Sequence, residues 1–523
     1  MKYAQLFNTK STRQSMPIPG SGQVPNNAGG FTWTLDPWSV LDRFLILGSE
    51  GGTYYVNAHK LTADNIDQIL TLMQIDGQRV VQRVAEVSVA GQAPKNDPAI
   101  LVLALCASMG NDVTRSAALK ALPTVCRTGT HLFAFAELCN GLRGWGRGLR
   151  RAIGNWYNAK PAAELEYQVI KYGHREGWSN RDLLRLAHPV PASDEHRALY
   201  KWVVDDEITG TMPRVEAMLR LRECKTAGEV SKIVREAGLP REAIPTEWLK
   251  DPVVWEALLE SMPMTAMVRN LATMTRVGLL VPNGEATKKV VQTLTNADRL
   301  KRARIHPISL LIALRTYASG RGLRGSGTWS PVKSIIDALD IAFYNSFEFV
   351  QPTGRRYLLG VDVSGSMSCG SVAGAMLTPG EAAAAMAMVA VASEDSVTSM
   401  AFAHEFRPLN FSRRMRLDQA VAMTQGISFG STDCSLPMQY AMQHRLPVDV
   451  FVVYTDNETW SGSVHPAQAL RQYRQTMGIR AKLIVVGMTS TGFTIADPRD
   501  PGMLDVVGFD ASAPAVMNQF VTG

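Results

Sequence analysis

Through the first 350 residues, apolar side chains recur at three- and four-residue spacing, interrupted by polar or Gly/Pro-containing breaks. That period puts the apolar positions on one helical face. It predicts helices over residues 64–74, 100–108, 115–125, 131–142, 149–157, 162–172, 180–186, 253–258, 263–274, 286–294, 307–318 and 331–344. Strand-like alternation is almost absent there. Short helices joined by short loops suggest an α-solenoid, in which helical pairs recur roughly every 40–47 residues. No clean sequence repeats align, so an irregular helical bundle is the alternative.

The pattern changes after the turn-rich break Gln351-Pro352-Thr353-Gly354. Apolar runs then alternate with helical stretches. Strands are predicted over 357–363, 397–402, 448–454, 482–486 and 503–507, with helices over 380–392, 417–425, 436–444, 466–477 and 514–520. Continuous apolar strands alternating with helices point to a mostly parallel, doubly wound, Rossmann-like sheet. The chain therefore divides into an all-helical part, 1–350, and an α/β part, 355–523. With 523 residues, more than one core is expected in any case.

A doubly wound sheet carries its site beyond the carboxyl ends of its strands. The first strand ends in DVSGSMS, offering oxygens from Asp362, Ser364 and Ser366. The loop FGSTDCS offers Thr432 just before a helix, and VFVVYTD ends in Asp456. Three hydroxyls and two carboxylates suit a divalent cation, expected to be Mg2+, which prefers hard oxygen ligands and keeps some waters. So neutral a site would gain strength from an outside carboxylate or phosphate. One DxSxS string alone reads equally well as a helix-capping loop. Three segments converging on the strand ends make the cation reading, and resemble the metal-ion-dependent adhesion site of von Willebrand factor A domains. A GxSxG elbow is missing, as is the second carboxylate an aspartyl phosphatase would want near Val363-Ser364. The metal thus reads as a recognition element, and the protein as a non-enzyme.

Composition changes this picture mainly through charge. Hydrophobic residues make up 46% and charged residues 19%, an ordinary globular balance. No apolar run approaches the roughly 20 residues of a membrane span, and the N-terminus lacks an apolar signal region. A cytoplasmic protein is expected. Six cysteines are scattered without metal or disulfide spacing and read as buried, reduced residues. Residues 351–523 hold 12 Lys+Arg against 14 Asp+Glu, so the net charge of +7 resides in residues 1–350, with 42 against 33.

The basic residues cluster. Residues 142–188 hold nine (Arg143, Arg147, Arg150, Arg151, Lys160, Lys171, Arg175, Arg181, Arg185) against four acids. Lys171 and Arg175, four apart on one expected helix, would share a face and present paired cations to phosphates. Tyr172, His174 and Trp178 between and beside them could stack on unpaired bases. A second stretch, 299–324, carries Arg299, Lys301, Arg302, Arg304, Arg315, Arg321 and Arg324 and no acid. Either stretch alone could be a solvated cationic face; together they favour RNA. His131, His188 and His306 read from their apolar surroundings as core histidines.

LDRFLILGSEGGTYYV, GWGRGLRRAIGNWYNAK, KYGHREGWSNRDLLRLAH, RARIHPISLLIAL and GFTIADP, with DVSGSM, FGSTDCS and YTDNET, resemble the Ro ribonucleoprotein family from about Asn27 to the C-terminus. Its bacterial members are called Rsr and its helical part the TROVE module. The resemblance implies a ring of HEAT-like helical repeats closed by a von Willebrand factor A-type domain. It implies a small non-coding Y RNA on the outer surface and single-stranded 3′ ends of misfolded RNAs in the hole. It further implies a role in RNA quality control and degradation, in bacteria alongside the exoribonuclease polynucleotide phosphorylase. By type, Lys171, Arg175 and His188 match family residues that contact RNA, which makes His188 RNA-facing. Arg147, Arg150, Arg185, Arg304, His306 and Arg324 join them as candidate RNA contacts. CGSVAGAMLT, between Ser368 and Pro379, departs from the family pattern. A monomeric ribonucleoprotein scaffold is the leading expectation. An adhesion-type module that captures an acidic partner is second, and a metal-dependent RNA hydrolase third.

Overall fold

The computed structural model describes residues 11–50, 52–175, 177–303, 305–322, 327–347, 352–372, 377–424, 430–510 and 512–523. Where the apolar period is strongest, the helices lie where it predicts them: Asp97–Met109, Asp112–Val125, Gly129–Leu142, Arg147–Asn158, Asn180–Ala187, Pro307–Ala318 and Lys333–Asn345. Residues 64–74 belong to a much longer helix, Ala58–Ala90, kinked at Asp76, where the backbone leaves helical angles. Five further helices complete the array: Pro37–Leu47, Asp194–Asp205, Pro213–Arg220, Ala227–Ala237 and Ala297–Ala303. One of them carries a readable signal, since Thr226 and Glu229 form a capping box and Gly238 ends the helix in the left-handed region.

Successive helices pack on one another and on the next but one. Ala58–Ala90 lies on Asp112–Val125, and Asp97–Met109 on Gly129–Leu142, the stacking of a helical repeat. The α/β part is a six-stranded sheet in the order Met503–Val507, Lys482–Gly487, Val450–Thr455, Arg356–Asp362, Ser396–Phe402, Phe406–Pro408. All neighbours are parallel except the short edge strand Phe406–Pro408. The helix Pro379–Ser393 is buried nearly all round, because it lies between the sheet and other elements of the core; its run of alanines permits that close packing.

The helical array begins and ends on the sheet domain. At its start, Arg43 reaches both carboxylate oxygens of Asp505 at 2.7 Å and the carbonyl of Thr491 at 3.1 Å. Gly487 makes room, since a Cβ there would meet the Arg43 guanidinium at 2.5 Å. At its end, Arg315 pairs with Glu381 at 2.5 Å and Arg416 with Asp337 at 2.9 Å. His306 joins all three regions: its Nε2 lies 2.8 Å from the carbonyl oxygens of both Gln92 and Phe509. The array closes into a ring through these contacts.

Strands are nearly absent from the helical part, as expected, and among the described residues the exceptions are short. Val24–Pro25 pairs with Phe31–Thr34, which pairs in turn with Phe493–Thr494. Residues 11–34 therefore run along the sheet domain. Gly30 is required there, because a Cβ would overlap the Thr459 carbonyl. The cysteines are all free; Cys106, Cys126, Cys139 and Cys434 are buried as expected, whereas Cys369 is exposed and Cys224 half-buried.

Candidate cation site and nucleic-acid interface

Strands Arg356–Asp362 and Val450–Thr455 are parallel neighbours, with Val361 opposite Tyr454, so their carboxyl ends bring Asp362 beside Thr455 and Asp456. The chain leaves the first strand to one side for Ser396–Phe402 and later crosses to the other for Val450–Thr455. The crevice between them is thus the switch point of the sheet.

Asp362, Ser364, Ser366, Thr432 and Asp456 are all buried. Asp362 accepts from the Ser364 N–H at 2.9 Å and from the Thr455 hydroxyl at 2.7 Å. The Ser364 and Ser366 hydroxyls are 3.1 Å apart. The Thr432 carbonyl takes the N–H groups of Trp460 (3.1 Å) and Ser461 (3.2 Å), which holds the Thr432 segment against the residues following Asp456. Asp456 uses one oxygen to accept the Glu458 N–H at 3.0 Å. Its other oxygen, Oδ2, is buried without a hydrogen-bond partner. An orphaned carboxylate oxygen costs free energy unless something outside the chain meets it. Two carboxylates and hydroxyl oxygens are hard donors of the kind Mg2+ takes, so the residues present fit such an ion.

The electrostatics point the same way. Burial, then the charge of Asp456, pushes the Asp362 carboxyl up to about 7, against the hydrogen bonds from Ser364 and Thr455. Burial also raises Asp456. Glu458, which is not among the five residues the sequence points to, is pushed up to about 8 by burial and by Asp456. Its oxygens accept from Asn27 Nδ2 at 2.8 Å and from the Ala28 N–H at 3.0 Å. The N-terminal segment thus braces the site. Asn26 donates to the Thr459 carbonyl at 2.8 Å and Gln14 to Asp433 at 2.7 Å. Tyr55 arrives from the helical part. Burial, then the charges of Asp456 and Glu458, push its phenol up to about 12.

The basic candidates lie apart from this site. In Arg147–Asn158 the residues Leu149, Ala152, Ile153, Trp156 and Tyr157 are buried, which turns Arg147, Arg150 and Arg151 to solvent. The contacting helix Asn180–Ala187 buries Leu183 and Leu184 and exposes Arg181 and Arg185. His188 caps that helix, exposed, at φ 45°. The described ion pairs of the neighbourhood go elsewhere, Lys160 to Glu164 and Arg214 to Glu166.

Lys171 and Arg175 do not share a helix face. The helix Ala162–Lys171 ends at Lys171, and Arg175 lies in a two-residue strand, His174–Arg175, paired with Trp178–Ser179. Gly173 and Gly177 (φ 76°) favour the turn over further helix. Lys171 is half-buried beside Tyr167 and Tyr172, its ammonium 5.3 and 5.5 Å from their rings. Burial opposes its charge, but the Tyr172 and Tyr167 hydroxyls outweigh that and raise its pKa. Arg175 is exposed. His306 is a correction. It is buried, with Nδ1 accepting the Ile308 N–H at 3.1 Å and Nε2 engaged by two carbonyls, so no ring atom is left for RNA. Arg315, in the second basic stretch, is spent on Glu381. Arg304 and Arg324 lie outside the described residues.

Among the described residues, no helix is long and apolar enough to cross a membrane. Two family models match the chain, the TROVE domain over residues 24–211 and 215–316 and the Ro60 vWA domain over residues 356–521. The RNA-binding protein RO60 of Deinococcus radiodurans is 46% identical over 512 residues, covering 96% of each chain. The protein of that name from Caenorhabditis elegans is 37% identical, covering 96% of this chain and 90% of its own. The crystal structure of the Deinococcus radiodurans RO (RSR) protein superposes with a TM-score of 0.69, covering 93% of this chain and all of that one. The chain belongs to the RO60 family, in which a TROVE helical domain is joined to a Ro60-type von Willebrand factor A domain.

Proposed function

We propose that this protein is a non-catalytic RNA-binding scaffold. It holds a small non-coding RNA of the Y type on the basic outer face of the helical ring and receives single-stranded 3′ ends of misfolded RNAs in the hole. The observation that carries this reading is the arginine surface on two contacting helices, Arg147, Arg150 and Arg151 beside Arg181 and Arg185. Arg147 stands in the first turn of its helix, which has no acidic residue there. The helix dipole disfavours a cation at that end, so a phosphate is the natural counter-charge. The names of the RO60 relatives support RNA as the partner. Filter binding across a salt series tests the reading: Arg147→Ala with Arg150→Ala should weaken binding and flatten the salt slope. Unchanged affinity and slope would sink it.

The role extends, in this reading, to RNA quality control in the cytoplasm as a monomer, with an exoribonuclease such as polynucleotide phosphorylase acting on the RNA that the scaffold presents. Asp362, Ser364, Ser366, Thr432 and Asp456 hold a divalent cation, Mg2+ by its preference for oxygen ligands. When bound, such an ion would supply a positive charge able to attract an oxygen of an outside ligand. The orphaned Asp456 Oδ2 supports a recognition role for this site. A hydrolase would also need a free general base, whereas Asp362 and Glu458 are each engaged by two donors.

A further inference from the structure

A carboxylate holds a cation only as firmly as the backbone beneath it is held. Asp456 follows the strand Val450–Thr455, and residues 488–495 follow its parallel neighbour Lys482–Gly487. The two segments are joined by side chains as well as backbone. The Met488 N–H donates to the Thr455 carbonyl at 3.0 Å, the Thr491 hydroxyl to the Asp456 carbonyl at 3.5 Å, and the Ile495 N–H to the Asn457 side-chain oxygen at 3.0 Å. Asn457 stands at φ 68°, a left-handed conformation that is costly outside glycine. Its N–H meets the Thr455 hydroxyl at 3.1 Å, and that hydroxyl donates onward to Asp362 at 2.7 Å. Residues 488–495 therefore fix the backbone of Asp456 and, through Asn457 and Thr455, reach Asp362.

The helical array grips the same residues from the other side. Arg43, in the helix Pro37–Leu47, donates to the carbonyls of Thr491 at 3.1 Å and Phe493 at 3.3 Å. Asn65, in the helix Ala58–Ala90, donates to the Ser490 carbonyl at 3.2 Å, and the Leu35 N–H to the Gly492 carbonyl at 3.0 Å. Arg43, Asn65, Ser490 and Thr491 are all buried. Five buried polar atoms along these routes nevertheless have no hydrogen-bond partner: Arg43 Nε, Asn65 Oδ1, Asp456 Oδ2, Asn457 Nδ2 and Ser490 Oγ. Unmet buried groups cost free energy. The seam is thus held without being fully satisfied, and a ligand that favours one arrangement of it can shift it.

We infer that Arg43 and Asn65 are positioning residues for the cation site, acting through residues 488–495, so that cation binding and closure of the ring form one linked equilibrium. This rests on the cation reading given above. Neither residue belongs to the ligand set; each acts on where the Asp456 backbone sits. Mg2+ tolerates little departure from octahedral geometry, whereas Ca2+ accepts a looser arrangement of oxygens. A small shift of Asp456 therefore weakens Mg2+ more than Ca2+. Coupling between sites is reciprocal, so the cation tightens this seam by as much as the seam favours the cation. The Arg416–Asp337 pair closes the other end of the array through a different loop and serves as the control.

Calorimetry of the full-length protein with Mg2+ and with Ca2+ tests this. Asn65→Leu, and separately Arg43→Met with Asp505→Leu, should each weaken Mg2+ about fivefold or more, the low end of coupling between sites, and Ca2+ by less. Arg416→Gln should keep the unaltered Mg2+ affinity. Hydrogen exchange on the unaltered protein gives the reciprocal measurement. Mg2+ should slow the amides of residues 488–495 and of the helix Pro37–Leu47 relative to EDTA. If Mg2+ fails to bind the unaltered protein, the cation reading falls and the coupling with it. If Mg2+ binds, but both seam variants fold and hold it as tightly as before, the coupling alone is overturned. An equal loss in Arg416→Gln would reduce the effect to general loosening and overturn the assignment to Arg43 and Asn65. Should the seam variants not fold, exchange in Pro37–Leu47 decides: slowing by Mg2+ upholds the coupling, and no change overturns it.

Discussion

Arg43 and Asp505 lie 462 residues apart in sequence and face each other as a bidentate pair, both Asp505 oxygens 2.7 Å from one guanidinium nitrogen. Arg43 is 1% exposed and Asp505 15% exposed. The pair joins the first helix of the array to the last strand of the sheet. Removing one partner of a buried pair leaves an uncompensated charge, a loss of about 3–5 kcal/mol. Arg43→Ala should therefore lower the denaturant midpoint strongly. Arg43→Met with Asp505→Leu should cost much less, and equal losses in the two variants would contradict this account.

His306 makes a second seam of the ring. Replacing it by Ala strands the carbonyls of Gln92 and Phe509 and the Ile308 N–H. Unsatisfied buried groups cost about 1–3 kcal/mol each, so stability should drop while RNA affinity per folded molecule stays unchanged. Affinity lost without loss of stability would restore it as an RNA contact.

Burial also holds the His306 imidazole down at about 4, against its two carbonyl partners. The unfolded chain then binds more protons between the ordinary histidine value and about 4, so this contribution to stability is lost as pH falls through that window. His306→Asn should flatten that part of the stability–pH curve, measured by urea unfolding.

The cation site works in the opposite sense. Asp362 at about 7 and Glu458 at about 8 bind protons in the folded state that the unfolded chain has released. Without divalent cation, stability should decline as pH rises from about 4 toward 8. Mg2+ should restore it most at the alkaline end, where no proton competes for the carboxylates. A Mg2+-induced rise in melting temperature independent of pH would argue against these groups.

On the helical face, each phosphate neutralised contributes about 0.7 to the salt slope on single strands and about 0.9 on a DNA duplex. Arg181→Ala with Arg185→Ala should thus reduce the slope by between one and two. Because Lys171 and Arg175 sit on different elements, their Ala variants should act independently rather than as one paired site, a point that a double-mutant cycle in filter binding decides.

Much of this protein is legible in one dimension because periodicity reports which face of an element is buried. The strong helices, the five parallel strands and the turn at which the two patterns meet all follow from it. So do the polar residues at the strand ends, since topology dictates where Asp362 and Asp456 must fall. Periodicity does not report what a buried face is buried against. The same apolar surroundings hold His306, which closes the ring, and do not hold His188, which is exposed. Arg315 and Arg147 look alike in sequence, yet one is paired to Glu381 across the ring seam and the other faces water. Residues 11–34 brace Asp433 and Glu458 from more than 400 positions away. Those partners are fixed only by the packing of distant segments, and no local pattern encodes a contact whose two halves meet only when the ring has closed.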